Sequence, residues 1–110
     1  MKNLVQEVWR IYVFFDMKWE MDWENRRAIG EVVDCVDDVL ELLEEMGFEP
    51  DTNLLLNEWC REAKQKPLTY ILPYIEKVKT RCREGGAFRL LHLMGRVEEN
   101  IKTLIEEMMQ

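Results

Sequence analysis

The sequence predicts an all-α protein: a single four- or five-helix bundle with antiparallel neighbouring helices, and with a homodimer as an alternative to the monomer. Apolar residues recur at helical spacing along most of the 110 residues, as expected for helices that each bury one face. Glycine and proline are scarce, with 5 and 3 copies, which disfavours an all-β fold. A chain of this length is expected to form one domain, residues 1–110, with a core of its own.

The clearest predicted helix runs from Glu24 to Phe48. Asp22 is placed to be its N-cap, and Gly47 is placed to end it in the left-handed conformation, with Phe48 folding back on the last turn. One face is apolar and consists of Ile29, Val32, Val33, Val36, Val39, Leu40 and Leu43. The opposite face is acidic and consists of Glu31, Asp34, Asp37, Asp38, Glu41, Glu44 and Glu45.

This acidic helix carries two features that are unfavourable for an isolated helix. Glu41, Glu44 and Glu45 lie towards its C-terminal end, where the helix dipole disfavours negative charge. Asp34 and Asp38 are like charges four residues apart, which also destabilises a helix. Each effect costs a few tenths of a kcal/mol. We therefore expect a cation to offset them, either elsewhere in the chain or on a partner.

The first predicted helix, residues 3–19, has an unusually wide apolar face. Leu4, Val8, Ile11 and Phe15 form one stripe, and a second stripe lies beside it: Val5, Trp9 and Tyr12. A helix on the surface of a bundle needs a narrower face. We therefore expect this helix either to be central to the bundle or to be shared with a second copy.

The segment 17–24 alternates apolar and charged residues. Its apolar members are Met17, Trp19, Met21 and Trp23. Strict alternation is typical of a half-buried strand, but a strand here would have to pair with a second copy. The favoured interpretation is a helix end that runs into a turn. Because tryptophan and methionine are common anchors at protein interfaces, these four residues form a candidate partner-binding patch.

Three more helices are predicted: Asn53–Lys64, Leu68–Arg83 and Ala87–Met108. Glycine or proline residues separate them. Because the connections between helices two to five are short, consecutive helices are expected to be antiparallel neighbours. This order brings the C-terminal ends of helices two and four together. Three acids would then face three bases: Glu41, Glu44 and Glu45 opposite Lys79, Arg81 and Arg83. The alternatives are the same pairing between two copies, or exposure of the acids to a cationic partner.

The net charge of −7 is unevenly distributed along the chain. Residues 16–51 carry 13 acids and 3 bases, whereas residues 52–110 carry 8 acids and 10 bases. The protein as a whole should be repelled by polyanions, so direct nucleic-acid binding is not favoured. The longest uncharged apolar run, Ile11–Phe15, is too short to span a bilayer. Glu7 and Arg10 interrupt the N-terminal segment, so we expect no secretory signal and a cytoplasmic location.

The residues that usually carry catalysis are poorly represented. The chain has no serine, no glycine-rich phosphate loop and a single histidine, His92. Its three cysteines are widely spaced without a C-x-x-C motif, which indicates reduced core cysteines. Glu31 and Asp34 form an E-x-x-D pair similar to the pairs with which helical nucleotide pyrophosphatases bind magnesium. The second acidic motif of that class, E-E-x-x-E, is absent. We therefore predict no catalytic residues, no metal site and no cofactor.

The sequence favours a non-catalytic protein-binding module: an adaptor, an inhibitor or a small subunit of a larger assembly. Its predicted partner is another protein, with a basic surface. The predicted contact surfaces are the acidic face (Glu31, Asp34, Asp38, Glu41 and Glu45) and the Met/Trp patch, with Lys79, Arg81 and Arg83 as a basic contact. Three alternatives remain open. They are a phosphate-mimicking inhibitor of a nucleic-acid-binding protein, a magnesium-dependent nucleotide pyrophosphatase and a helical nucleic-acid-binding subunit.

Overall fold

Five α-helices account for most of the computed structural model, which describes residues 2–53 and 56–109. Their bounds are α1 Lys2–Met21, α2 Arg26–Glu45, α3 Asn57–Gln65, α4 Leu72–Glu84 and α5 Phe88–Met108. A 3₁₀ turn, Leu68–Ile71, leads directly into α4. The described residues contain no strand, so the all-α prediction is confirmed. The predicted start of helix three includes positions 54 and 55, which lie outside the described residues.

α1 is the central helix of the protein. It packs against α2, α3 and α4, and its buried side chains are Leu4, Val5, Val8, Ile11, Phe14 and Phe15. Five of the seven residues of the predicted wide apolar face are therefore buried within a single chain, and the other two, Trp9 and Tyr12, are half-buried. α5 completes the core by packing against α2 and α4.

α2 has the predicted amphipathic structure. It buries Ile29, Val32, Val36, Val39, Leu42 and Leu43, while the carboxylates of its opposite face are exposed. Gly47 has a φ of 91°, a left-handed conformation that glycine adopts without steric cost. The amide of Phe48 donates a hydrogen bond to the Leu43 carbonyl at 2.9 Å, which completes the predicted C-terminal cap.

The predicted N-cap of α2 is wrong. α1 continues to Met21, so Asp22 is the first residue of a four-residue turn and Asn25 occupies the N-cap position. The Asp22 carboxylate accepts hydrogen bonds from the Asn25 amide at 3.1 Å and from its Nδ2 at 2.9 Å. The aspartate therefore closes the turn between the two helices instead of capping the second one.

The strand alternative for residues 17–24 is also wrong. Met17–Met21 form the last turns of α1, and the amide of Asp22 still donates to the Lys18 carbonyl at 3.0 Å. Residues 22–25 form the turn. The favoured interpretation, a helix end that runs into a turn, is confirmed. The backbone of residues 17–21 forms hydrogen bonds within α1. The alternation of apolar and charged side chains in this segment therefore does not correspond to a strand.

Helices two, three and four do not pack in chain order. α3 packs mainly on α1, and the main neighbours of α2 are α1 and α5. The connection between α2 and α3 spans residues 46–56, which is long enough to carry the chain across to a non-neighbouring helix. The expectation that each helix packs against the next is therefore wrong for α2 and α3. It holds for α4 and α5, which do pack together.

Candidate functional site

An apolar groove lies where the end of α1 and its following turn meet the end of α5 and the 3₁₀ turn. Its volume is about 710 Å³, within the range of small-molecule sites in proteins. We call it the Met/Trp groove. Its apolar lining consists of Met21, Trp23, Ile29, Pro67, Leu68, Ile105, Met108 and Met109.

The walls of the Met/Trp groove are unusually exposed. Trp23 has 74% of its surface in solvent and Met109 has 82%, although burying such a side chain is favourable by about 1.5–3 kcal/mol. Seven large apolar side chains are exposed among the described residues, and four of them line this groove: Met21, Trp23, Met108 and Met109. Because they surround one groove, they make it the candidate functional site.

Arg26 holds one wall of the groove in place. Its guanidinium carbon lies 3.9 Å from the ring centroid of Trp19 and 3.8 Å from that of Trp23. Its Nε donates a hydrogen bond to the Trp19 carbonyl at 3.1 Å. A cation on an exposed aromatic face contributes about 0.5–1 kcal/mol. The arginine therefore supports Trp23, which has little other cover.

The structure divides the predicted Met/Trp patch. Met21 and Trp23 line the groove, whereas Met17 packs against the core. Trp19 lies on the other side of the turn, where it lines a smaller cleft with Asp16, Gly30 and Asp34. Met108 and Met109, which were not predicted as site residues, supply the opposite wall.

The rim of the groove is charged. Asp22, Glu24 and Lys18 contribute to the lining, and the Lys18 Nζ donates a hydrogen bond to the Lys66 carbonyl. Burial lowers the pKa of Lys18, although the nearby Asp22 charge opposes the shift. The lysine is thus engaged within the protein, and the Asp22 carboxylate is hydrogen-bonded to Asn25. Both acids keep their negative charge at the rim.

The acidic face of α2 is in solvent over its whole length. Glu31, Asp34, Asp38, Glu41 and Glu45 are all exposed, and within the described part of the chain none of them forms an ion pair. Three of them border a shallow cleft shared with Arg89 and His92: Asp38, Glu41 and Glu45. Among the described residues, the carboxylates of the face are therefore unpaired, with Arg89 as the cation that shares a cleft with three of them.

A second acidic cleft lies between α1 and α2, beside Trp19. Burial raises the pKa of Asp16, and the charge of Glu20 raises it further. The pKa of Tyr12 is raised by burial and then by the charges of Asp16, Asp37 and Asp34. Burial is the largest cause of both shifts, and only Tyr12 is also affected by carboxylates of α2.

α2 carries charges of the wrong sign for its dipole at both ends. Arg26 and Arg27 are in its first turn, Glu44 and Glu45 are in its last, and no base lies there. Replacing Glu44 or Glu45 by lysine is expected to raise the free energy of unfolding by about 0.3–1 kcal/mol each. Urea denaturation at low salt measures this. Glu31→Lys is the matched control and should give no gain, because Glu31 lies in the N-terminal half of the helix.

The predicted pairing between the acids of helix two and the bases of helix four is wrong. Arg81 Nε lies 3.3 Å from Glu7 of α1, and Lys79 Nζ lies 3.1 Å from Glu98 of α5. Arg83 pairs with Glu76 of its own helix at 3.6 Å. The cause is the packing order, since α4 lies against α1 and α5. These bases are therefore engaged within the protein.

Glu98 is at the centre of the ion pairs between α4 and α5. Its side chain is mostly shielded from solvent. Burial opposes its ionisation, but hydrogen bonds and charges from Lys79 and Lys102 outweigh this, and the pKa of Glu98 lies below its ordinary value of 4.5. Ionised Glu98 therefore stabilises the folded state.

Acidification is expected to remove this stabilisation. The unfolded chain takes up the proton first, because its glutamate has the higher pKa. The contribution of Glu98 is complete above about pH 5 and is lost as the pH falls through the folded-state pKa. Glu98→Gln is expected to cost about 1–2 kcal/mol at pH 7 and much less near pH 3. Urea denaturation at both pH values measures the difference. Exposed Glu99→Gln should show neither effect.

The described residues offer little for metal or thiol chemistry. No three of their histidine, cysteine, aspartate or glutamate side chains are placed to hold one metal ion. Cys35 accepts a hydrogen bond from Asn100 Nδ2 at 2.9 Å. Burial raises the pKa of the Cys82 thiol, with Arg83 acting in the opposite direction, which disfavours the reactive thiolate. The three cysteines are free.

Comparisons with known proteins give no match. The chain matches no protein-family model, no curated protein and no solved structure. Within the described ranges, no helix combines the length and the apolar character needed to cross a bilayer.

Proposed function

We propose that this protein is a non-catalytic protein-binding module that recognises a partner with a basic surface. The Met/Trp groove anchors the partner, and the acidic face of α2 attracts and orients it. The observation that carries the proposal is the groove itself: four exposed methionine and tryptophan side chains around about 710 Å³ of apolar space.

The chemistry of the groove supports binding to a protein. Methionine side chains are flexible and polarisable, so they adapt to apolar surfaces of different shapes. Tryptophan is enriched among the residues that dominate binding energy at interfaces. Both occur here in solvent, at the ends of two helices and in a turn held by Arg26 and Asp22.

The acidic face supports the choice of a basic partner. α2 starts beside the groove, where Ile29 is part of the lining. The five carboxylates extend from there over about 20 Å along the helix. Exposed charges of one sign raise the rate at which an oppositely charged partner is encountered. The groove and the acidic face can therefore act on a single partner.

The proposal is tested by affinity purification from the native host with the tagged protein and two variants. The groove variant is Met108→Lys with Met109→Lys, and its control is Met46→Lys, an exposed methionine outside the groove. The face variant replaces Asp34, Asp38, Glu41 and Glu45 by their amides. Its control replaces four exposed glutamates elsewhere: Glu49, Glu58, Glu84 and Glu99.

Host proteins that bind the wild type and both controls, but neither variant, are the expected result. Host proteins that bind the wild type, both variants and both controls equally must contact a surface other than the groove and the acidic face. This result would overturn the proposal. Each variant changes only exposed side chains, so circular dichroism should show a wild-type fold.

A phosphate-mimicking inhibitor is the second candidate, because the acidic face is a regular row. Its five carboxylates recur every three or four residues, which is about 5 Å along a helix. A DNA strand likewise presents a row of single negative charges, at the closer spacing of about 3.4 Å. On this reading, duplex DNA should displace the captured partner. Capture that persists undiminished at high salt would count against it.

The remaining alternatives have direct tests. Incubation with magnesium and the four nucleoside triphosphates is expected to release no pyrophosphate. Lys79, Arg81 and Arg83 pair within the protein, so reversing their charge is expected to affect stability more than any nucleic-acid binding. A homodimer and a regular antiparallel bundle, both expected from the sequence, remain proposals about the architecture. Since α1 packs against three helices of its own chain, a homodimer through α1 is disfavoured, and sedimentation equilibrium tests whether the protein dimerises at all.

A further inference from the structure

We infer that the Met/Trp groove takes the apolar face of an amphipathic helix whose polar residues are basic. This inference rests on the proposed function and names the chemistry of the partner at the same site. It follows from the side chains that line the groove and from the charges at its rim.

The lining of the groove fits the apolar face of a helix. The groove lies between the last turns of α1 and α5, and eight of the twelve residues that line it are apolar. Such a surface offers apolar contact but little directional hydrogen bonding. An amphipathic helix fits this chemistry, because it presents apolar anchors at i, i+3, i+4 and i+7. An extended peptide that adds a strand needs a sheet edge, and the described chain has no strand.

The charges at the rim select a cationic helix. Asp22 and Glu24 line the groove, and three exposed glutamates adjoin it in sequence: Glu20, Glu106 and Glu107. Three cations lie beside the same rim: Lys18 lines the groove and donates a hydrogen bond to the Lys66 carbonyl, Lys66 adjoins Pro67 in sequence, and the Arg26 guanidinium stacks on Trp23. The five acids outnumber these three bases, so the rim is acidic on balance.

The same charges disfavour two other occupants. A second copy of this chain, with a net charge of −7, would bring like charges to the rim. An anionic lipid surface would be repelled in the same way. A basic helix both covers the exposed tryptophan and methionines and neutralises the carboxylates beside them.

Three synthetic peptides of roughly 14 residues, about four helical turns, test this inference on the whole protein. The first contains leucine and lysine with all leucines on one helical face. The second has the same leucines with glutamate in place of lysine. The third has the composition of the first, with the leucines spread over all faces. Methyl NMR of the methionines locates binding, and titration gives the affinity.

The first peptide is expected to shift the methyl signals of Met21, Met108 and Met109 while leaving that of Met46 in place. It should bind about tenfold or more tightly than either other peptide. Met108→Lys with Met109→Lys should abolish this advantage, and Met46→Lys should keep it. Equal binding of the glutamate peptide, or an equal shift of Met46, would overturn the inference.

The inference and the proposed function can fail separately. If the leucine–lysine helix does not enter the groove, but the groove variant still loses its host partners, the helical assignment is wrong and the proposed function stands. If the helix enters the groove, but host partners bind the wild type and the groove variant equally, the proposed function is wrong.

Discussion

Replacing Phe14 by alanine is expected to lower the free energy of unfolding by about 3–5 kcal/mol. Phe14 is fully buried in the central helix. Its ring centroid lies 5.3 Å from that of Phe15, 6.1 Å from Trp59 and 6.4 Å from Tyr70. Removing the ring therefore opens a cavity between α1, α3 and the 3₁₀ turn. Domains of this size are stable by about 5–15 kcal/mol in total, so a large part of the stability should be lost.

Phe88→Ala is the matched control for this prediction. The substitution is chemically identical, but Phe88 is 70% exposed at the start of α5, and its loss should change stability by about 0.5 kcal/mol or less. Urea denaturation followed by circular dichroism measures both variants. A similar small change in the two variants would contradict the central position of α1.

Two features that the sequence predicts correctly, α2 and its C-terminal cap, are governed by local physics. α2 is recognisable because its apolar residues recur with the helical period over twenty residues and its acids fill the other face. Gly47 and Phe48 form the predicted cap because that motif depends only on neighbouring residues. The width of the apolar face of α1 indicates that much of the helix must be covered. It does not indicate whether the rest of the chain or a second copy covers it, so the central position of α1 was one of two predicted outcomes.

The packing order could not be predicted in the same way. Glu41, Glu44 and Glu45 were expected to meet the bases of helix four, but those bases pair with Glu7, Glu76 and Glu98. Which helices become neighbours depends on the route of the connection between α2 and α3. Gly47 and Pro50 in this connection indicate that a helix ends, but not in which direction the chain continues, so only the three-dimensional packing decides it.

The Met/Trp groove was half predictable. Met21 and Trp23 stand out in the sequence because they alternate with charges, but Met108 and Met109 lie more than eighty residues further on. No spacing rule connects such distant positions. Arg26 had a local signal that was missed, since it lies three residues after Trp23 and seven after Trp19. At these separations, a chain that leaves a helix through a turn can place the Arg26 guanidinium on both tryptophan rings.

Neutralising four carboxylates of the acidic face is expected to slow association with the leucine–lysine helix by about tenfold or more at low salt. The variant carries Asp34→Asn, Asp38→Asn, Glu41→Gln and Glu45→Gln. These side chains are exposed, and the face is largely unpaired, so its field reaches into solvent. The electric field of the acidic face attracts the peptide before contact is made, whereas the apolar contacts of the groove hold the peptide after docking. The dissociation rate should therefore change much less than the association rate.

Stopped-flow anisotropy of the labelled peptide separates the two rates, and ionic strength identifies the cause. The difference from the wild type should shrink as salt is raised from about 0.01 to 1 M, because the screening length falls from about 30 to 3 Å. The variant with Glu49, Glu58, Glu84 and Glu99 changed to glutamine has the same net charge, and it should slow association less. Equal slowing would mean that total charge, and not the row of acids on α2, attracts the partner. Met108→Lys with Met109→Lys should accelerate dissociation at every salt concentration, because the apolar contact it removes is not screened by ions.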